Sequence, residues 1–243
     1  TAWGAYIGQL HRHLTGQPLG RAFREHIAAP LGLDAWIGAP DEVIDLAATT
    51  VVLGPRDVLR HNLPAAFTRR DAEGRMARRF LNPRSDTRRA FQNPDMGPAR
   101  LAAVNDRAFL RLDLPWMSAL ATADALSKAY AGLLGHLDGP ALVSERALRP
   151  VLHRESWSSR DRVIQKAIGW SRGFVKDEPH LFTPNTAAFG HPGAGGALGW
   201  ADPVLGLTIG YVPNRMDWHV RSPRAVRLCR AIVDAARQAR ARP

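Results

Sequence analysis

The chain has 243 residues, 45% of them hydrophobic, and a formal net charge of +11 at pH 7. That length and apolar fraction suffice for one sizeable core or two lobes and exclude a disordered chain, and no run is long and apolar enough to cross a bilayer. A lone cysteine, Cys229, excludes an intramolecular disulfide or a cysteine metal cluster and fits a small core position.

The positive charge invites a nucleic-acid partner, but its distribution argues against a specific one. Lysine occurs only at 128, 166 and 176, and arginines are spread along the chain apart from Arg69-Arg70, Arg78-Arg79, Arg88-Arg89 and the tail Arg237, Arg240 and Arg242. No zinc finger, helix-turn-helix signature or aromatic RNA-binding motif accompanies them. No membrane partner is expected; no signal peptide is visible and a cytoplasmic location is favoured, but the chain opens on Thr1 without an initiator Met, which leaves a lost leader, and so the location, open.

In chain order, Trp3, Tyr6, Ile7, Leu10 and Leu14 recur at helical spacing, with Thr15-Gly16 as the stop. Tyr6 lies on this stripe and is expected in the core. His11 and His13, two residues apart, diverge on a helix and make poor joint metal ligands. A second helix is expected from Leu19 to Ala28, burying Phe23 and Ile27 before Pro30 ends it. From Asp57 to Leu81 the chain is basic and broken by Pro64 and Gly74, which predicts two short surface helices. Residues 82–100 carry Pro83, Pro94, Gly97 and Pro98 and read as a long loop bordering a pocket. Thr122 caps a helix carrying Leu126, Tyr130, Leu133 and Leu134 and stopped by Gly135; Ser144 caps one carrying Leu148, Val151 and Leu152. The segment Ile168 to Val175 reads as a strand. Ser222-Pro223 opens a last helix whose buried face is Val226, Cys229, Ile232, Val233 and Ala236, expected to lie across a sheet. The pattern is a mainly helical lobe over 1–165 and strands with a final helix over 166–243, an α/β (α+β) class.

The organising stretch is Phe189-Gly190-His191-Pro192-Gly193-Ala194-Gly195-Gly196-Ala197-Leu198-Gly199-Trp200-Ala201-Asp202-Pro203, continuing through Gly206 to Val212. Short apolar runs between glycines, with Asp202-Pro203 and Gly206 as a turn, predict three consecutive antiparallel strands. Pro192 has no N–H for a ladder, which predicts an edge strand; by the two-residue period the N–H of Ala194 then points out of the same open side. A free backbone donor beside His191, where glycines allow close approach, has the makings of an oxyanion hole. An ordinary edge strand of small residues would carry the same spacing.

His-Pro-Gly-Ala-Gly-Gly at 191–196, followed by Gly-Trp-Ala-Asp-Pro and Tyr-Val-Pro-Asn-Arg-Met, resembles the third motif and following hairpins of the serine β-lactamase-like and penicillin-binding-protein-like hydrolases, in the class C and family VIII esterase branch. Leu19-Gly20, Ala29-Pro30-Leu31-Gly32-Leu33, Val104-Asn105-Asp106-Arg107-Ala108-Phe109 and Thr122-Ala123-Asp124-Ala125-Leu126 agree with it. The resemblance implies a β-lactamase-like fold, acyl-serine chemistry on a small ester or amide, and no cofactor or metal. It assigns His191, Gly193 and Ala194 to catalysis and Pro192 and Gly195 to substrate binding. His191 and Pro192 stand where β-lactamases have lysine and a hydroxyl residue, which shifts the expected substrate from β-lactams towards neutral esters or amides.

The family's first motif, Ser-x-x-Lys, sets a nucleophile and a base one helical turn apart. No serine here has it. Ser85-Asp86-Thr87-Arg88 and Ser159-Arg160-Asp161-Arg162 put arginine, which cannot act as a base, in the lysine's place. The expectation is therefore a C-terminal portion of such a hydrolase, inactive alone, with a missing N-terminal segment or self-association covering the strand at Leu207 to Val212, which is interior in the resembled fold. A non-catalytic interaction module on the same fold and a basic nucleic-acid binder are the alternatives.

Overall fold

The computed structural model describes residues 2–93, 95, 100–139, 141–176, 182–219 and 221–241. The chain forms two compact units: 1–125 with 162–165 and 214–216, and 126–161 with 166–213 and 217–243. Pro94, Gly97 and Pro98 of the expected loop and Arg242 of the tail lie outside the described residues.

In the first unit, α1 (Ala2–Thr15) ends where Gly16 takes φ +75. Its packing face is not the apolar stripe. Gly4 lies so close to Trp116 that a Cβ there would meet the indole at 2.9 Å, and Gly8 faces Pro115. The helix thus approaches its neighbour through small residues and leaves Trp3, Tyr6, Leu10 and Leu14 exposed, which corrects the core placement of Tyr6. Next, α2 (Leu19–Phe23) runs into a π-helical turn, Arg24–Ala28, that ends before Pro30. Its first-turn N–H groups at Leu19 and Gly20 are capped by the Asp113 carboxylate at 2.9 and 2.8 Å. Gly20 has to be glycine, since a Cβ would stand 2.1 Å from the Ile37 carbonyl oxygen. The buried residues are Gly20, Ala22 and Ala28, whereas Phe23 and Ile27 are only half-buried.

Strand β1 (Ala35–Ile37) pairs antiparallel with β2 (Ala119–Ala121), a small sheet the sequence reading lacks. Between them, α3 (Asp41–Ile44) and α7 (Arg107–Leu110) close a cluster of Ala39, Ile44 and Leu110 against Trp36, Val43 and Leu120. The pair expected over 57–81 is α4 (Pro55–Thr68) and α5 (Ala72–Leu81). The break falls at 69–71, where Asp71 caps the Gly74 N–H, and not at Pro64 or Gly74, both of which lie inside helices. Ala65, Ala66 and Ala77 form their seam. The expected loop over 82–100 contains α6 (Asp86–Phe91), capped by Ser85, whose Oγ accepts the Arg88 N–H at 3.1 Å.

The helix α8 (Ala123–Leu133), whose first turn still belongs to the first unit, and α9 (Glu145–Leu152) of the second unit begin as the sequence predicts, with Thr122 and Ser144 as caps. Six antiparallel strands follow in sequence order: β3 (Ser156–Ser158), β4 (Ile168–Trp170), β5 (Val175–Lys176), β6 (Phe189–Pro192), β7 (Leu198–Asp202) and β8 (Leu207–Tyr211). The meander is β6–β7–β8, in the register Gly190 to Trp200 and Trp200 to Ile209. The single strand expected over 168–175 is the hairpin β4–β5, turned at Gly173 with φ +88. Tyr130, Phe189 and Ala201 centre the core, and the Phe174 and Phe189 rings meet edge to face at 5.1 Å. Lys176, fully buried, donates to the Leu152 and Ala188 carbonyls at 2.9 and 2.8 Å, tying the end of α9 to the start of β6. The β7–β8 turn is held by buried Asp202, which accepts the N–H groups of Val204 and Leu205 and the Asn185 amide. The final helix, α10 (Pro223–Ala241), turns Ala225, Cys229 and Val233 inward and reaches that turn through Arg240, which donates to the Leu205 carbonyl at 2.6 Å.

Candidate active site

The candidate site is the far end of β6 and the glycine turn after it. β6 is an interior strand, paired with β5 on one side and β7 on the other, so the edge-strand expectation does not hold for the whole element. The proline is tolerated for a local reason. β5 reaches only Gly190 and Phe189, and the chain turns away before it could pair with His191 and Pro192. Pro192 thus sits where its side of the ladder has already ended.

Beyond Pro192 the chain leaves the strand, so the two-residue parity used to aim the Ala194 N–H no longer applies. A turn holds Ala194 instead. The Gly193 N–H donates back to the Ala197 carbonyl at 2.7 Å and the Gly196 N–H to the Gly193 carbonyl at 3.2 Å. Ala194 is exposed at the tip and donates no backbone hydrogen bond among the described residues. Gly195 and Gly196 take φ +85 and +102, a geometry that side chains with a Cβ rarely adopt.

His191 stands beside Trp170, with ring centroids 6.0 Å apart. Its surface is accessible, yet enough protein surrounds it that desolvation lowers its pKa from the ordinary histidine value, with an opposing contribution from the Pro192 backbone. The neutral imidazole is favoured at neutral pH. Beneath it, the buried Tyr130 hydroxyl hydrogen-bonds the His191 backbone. Burial pushes that phenol far above its ordinary value, so it stays uncharged. The Tyr130 ring also demands glycine at 199, where a Cβ would lie 2.3 Å from it.

A polar knot missed in the sequence supports the turn. The Asp217 N–H donates to the Gly195 carbonyl at 2.7 Å, and the Asp217 carboxylate accepts Ser222 Oγ at 2.7 Å and His219 Nδ1 at 2.6 Å. A Cβ on Gly196 would stand 3.0 Å from the Ser222 Cβ. Burial opposes ionisation of Asp217, but the hydrogen bonds from Ser222 and His219 outweigh it and hold the carboxyl below its ordinary value. Serine, aspartate and histidine here do not form a nucleophilic relay. Both partners donate to the carboxylate, Ser222 is 2% exposed, and its Oγ also accepts the Arg224 N–H. The residue types were visible, but nothing in their spacing showed that they meet the glycine turn.

The described residues contain no group of three or more His, Cys, Asp or Glu side chains able to hold a metal ion. A cleft of about 360 Å³ lined by Phe182, Thr183, Arg230, Val233, Asp234 and Arg237 includes none of residues 191–195.

An antiparallel sheet with flanking helices, one strand of which ends in His-x-Gly before a glycine turn, has the fold of the β-lactamase-like hydrolases and penicillin-binding-protein relatives. The chain belongs to the beta-lactamase family, whose model matches residues 1–232. It is 27% identical over 218 residues to the esterase/beta-lactamase LipL of Mycobacterium tuberculosis, covering 88% of this chain and 47% of that protein. Among solved structures, a family VIII carboxylesterase superposes with a TM-score of 0.71 at 28% identity, covering 95% of this chain and 55% of that one. A penicillin-binding protein homolog from Caulobacter crescentus gives 0.66 at 30% identity, covering 96% and 56%. EstA from Arthrobacter nitroguajacolicus, 24% identical with a TM-score of 0.74 over 97% of this chain and 58% of that one, shares the fold. The chain spans about half the length of the curated relative it matches.

Proposed function

We propose that this chain is the C-terminal part of a serine hydrolase that transfers the acyl group of a small ester or amide to a serine supplied by a segment outside these residues. The alcohol or amine leaves with a proton, and water then releases the acid and regenerates the serine. The observation that carries the reading is the end of β6, where His191 runs past β5 while still paired with Gly199 of β7, beside a turn whose tip residue Ala194 is exposed and whose N–H is unengaged among the described residues. In this role Ala194 N–H donates to the developing oxyanion, neutral His191 polarises the site or binds substrate, and Pro192, Gly193 and Gly195 shape the approach. The family match and the resemblance to an esterase/beta-lactamase and a carboxylesterase support it.

The test is hydrolysis of p-nitrophenyl acetate by the chain alone and by the longer protein that contains it. The longer protein is expected to turn over and the chain alone to be inactive. In the longer protein, His191→Ala lowers kcat on neutral esters, and His191→Lys improves use of anionic ones. Turnover by the chain alone that a covalent inhibitor maps to one of its own serines overturns the reading, as does unchanged kinetics in both His191 variants.

A further inference from the structure

Helix α4 turns one face to α5 through Ala65 and Ala66, 5% and 3% exposed, and presents a different face to solvent. On that outer face Arg56, Leu59, Arg60, Leu63 and Phe67 fall at i, i+3, i+4, i+7 and i+11, one continuous stripe of a helix. Leu59, Leu63 and Phe67 are 57%, 41% and 80% exposed, and both arginines are exposed. The helix has one carboxylate, Asp57, and it is turned back onto the Gly54 N–H at 3.1 Å. Arg56 and Arg60 therefore have no carboxylate partner among the described residues. By contrast, Arg69 is paired with Asp71 and Arg111 with Asp41, and Arg78 is spent on the Ala66 and Arg69 carbonyls. Just past the helix, exposed Arg70 adds a further cation.

We propose that this face of α4 docks on an anionic lipid bilayer. Unpaired guanidinium groups call for an anionic partner, and three large apolar side chains between them call for hydrocarbon. Duplex nucleic acid offers the first without the second. A bilayer bearing anionic headgroups offers both at one depth: the arginines stay at the headgroups while Leu59, Leu63 and Phe67 enter the acyl boundary. This is peripheral attachment, consistent with no described helix being long and apolar enough to cross a membrane. Helix α1 also exposes apolar residues, but its arginine and histidine at 12 and 13 sit in the last turn, so charge does not select a partner there. The surface uses none of the residues on which the hydrolase reading rests and is tested without activity.

The experiment is cosedimentation of the 243-residue chain with vesicles of pure phosphatidylcholine and with vesicles in which about a third of the lipid is phosphatidylglycerol. Binding is expected to the anionic vesicles alone and to weaken with salt. Arg56→Gln with Arg60→Gln weakens it roughly twenty-five-fold, at about fivefold per cation removed. Leu59→Ser, Leu63→Ser and Phe67→Ser together reduce it to background, with circular dichroism confirming an unchanged fold. The control pair Arg227→Gln and Arg230→Gln, exposed on α10, leaves binding unchanged. Equal binding to pure phosphatidylcholine, insensitivity to the α4 variants, or an equal loss in the control pair overturns the proposal. So does absence of binding to the anionic vesicles, and duplex DNA binding or a dimer that the triple serine variant dissociates would then identify the other occupant of this face.

Discussion

Two apolar surfaces of this chain meet opposite fates. In β6 and β7, Phe189, Leu198, Trp200 and Ala201 are at most 2% exposed, whereas on α1 Trp3, Tyr6, Leu10 and Leu14 are 53–73% exposed. Both segments follow the period of their element. The difference lies in what the rest of the chain supplies. Each strand of the meander meets its neighbour within a short turn, and Tyr130, Phe174 and the α9 leucines close one face. On α1, among the described residues, the close packing is on the glycine side, at Trp116 and Pro115. Periodicity sets the type of an element, and burial depends on whether an opposing surface exists.

The sharpest way to break this contrast is at Gly190, where a Cβ would lie 2.2 Å from the Gly199 carbonyl oxygen and 2.6 Å from the Trp200 ring. Because the nearest atom is backbone, Gly190→Ala should destabilise by about 3 kcal/mol or more, read by urea unfolding. Asp202→Ala comes next. It strips the acceptor from the Val204 and Leu205 N–H groups and from Asn185 at a fully buried position, an effect of about 2–3 kcal/mol by the same measurement.

Asp217 tests the polar side of the same unit. Its folded pKa is depressed below the ordinary value, so its contribution is full above the unfolded pKa of about 3.9 and is lost as pH falls through the folded value. Melting temperatures should therefore fall more steeply with acidification in the wild type than in Asp217→Asn once the pH is below about 4. Parallel curves would remove Asp217 from the account of the glycine turn. At the far end of the scale, Leu14→Ser on α1, at a residue 72% exposed, should change stability by no more than about 0.5 kcal/mol. A larger loss would mean that the α1 stripe is covered after all.

Local chemistry was legible wherever it acts over a few residues. Thr122, Ser144 and Ser222-Pro223 mark helix starts because cap and capped group are neighbours. Gly206 at φ +59 and Asp202 mark the β7–β8 turn for the same reason. What acts over distance was not legible. The cap of α2 is Asp113, 94 residues beyond Leu19, and the two-stranded β1–β2 sheet joins segments equally remote. At the candidate site, the glycine-rich run pointed to an open backbone donor, but the mechanism of opening differs. It follows from β5 being two residues long and from Asp217 and Ser222 gripping the turn. Pro64 misled because a proline within α4 is tolerated on its solvent side, and Gly74 because a glycine in a helix can mark close packing; a Cβ there would stand 2.0 Å from the Arg69 carbonyl oxygen.

The single thiol gives this molecule a built-in clock. Cys229 is 0% exposed, and burial pushes its thiol up to about 12, so inside α10 it is shielded both sterically and by being held protonated. Maleimide can capture it only while the Ala225–Cys229–Val233 seam is open. With excess reagent at neutral pH, the rate of modification counts those openings one by one, without any label having to be engineered into the chain.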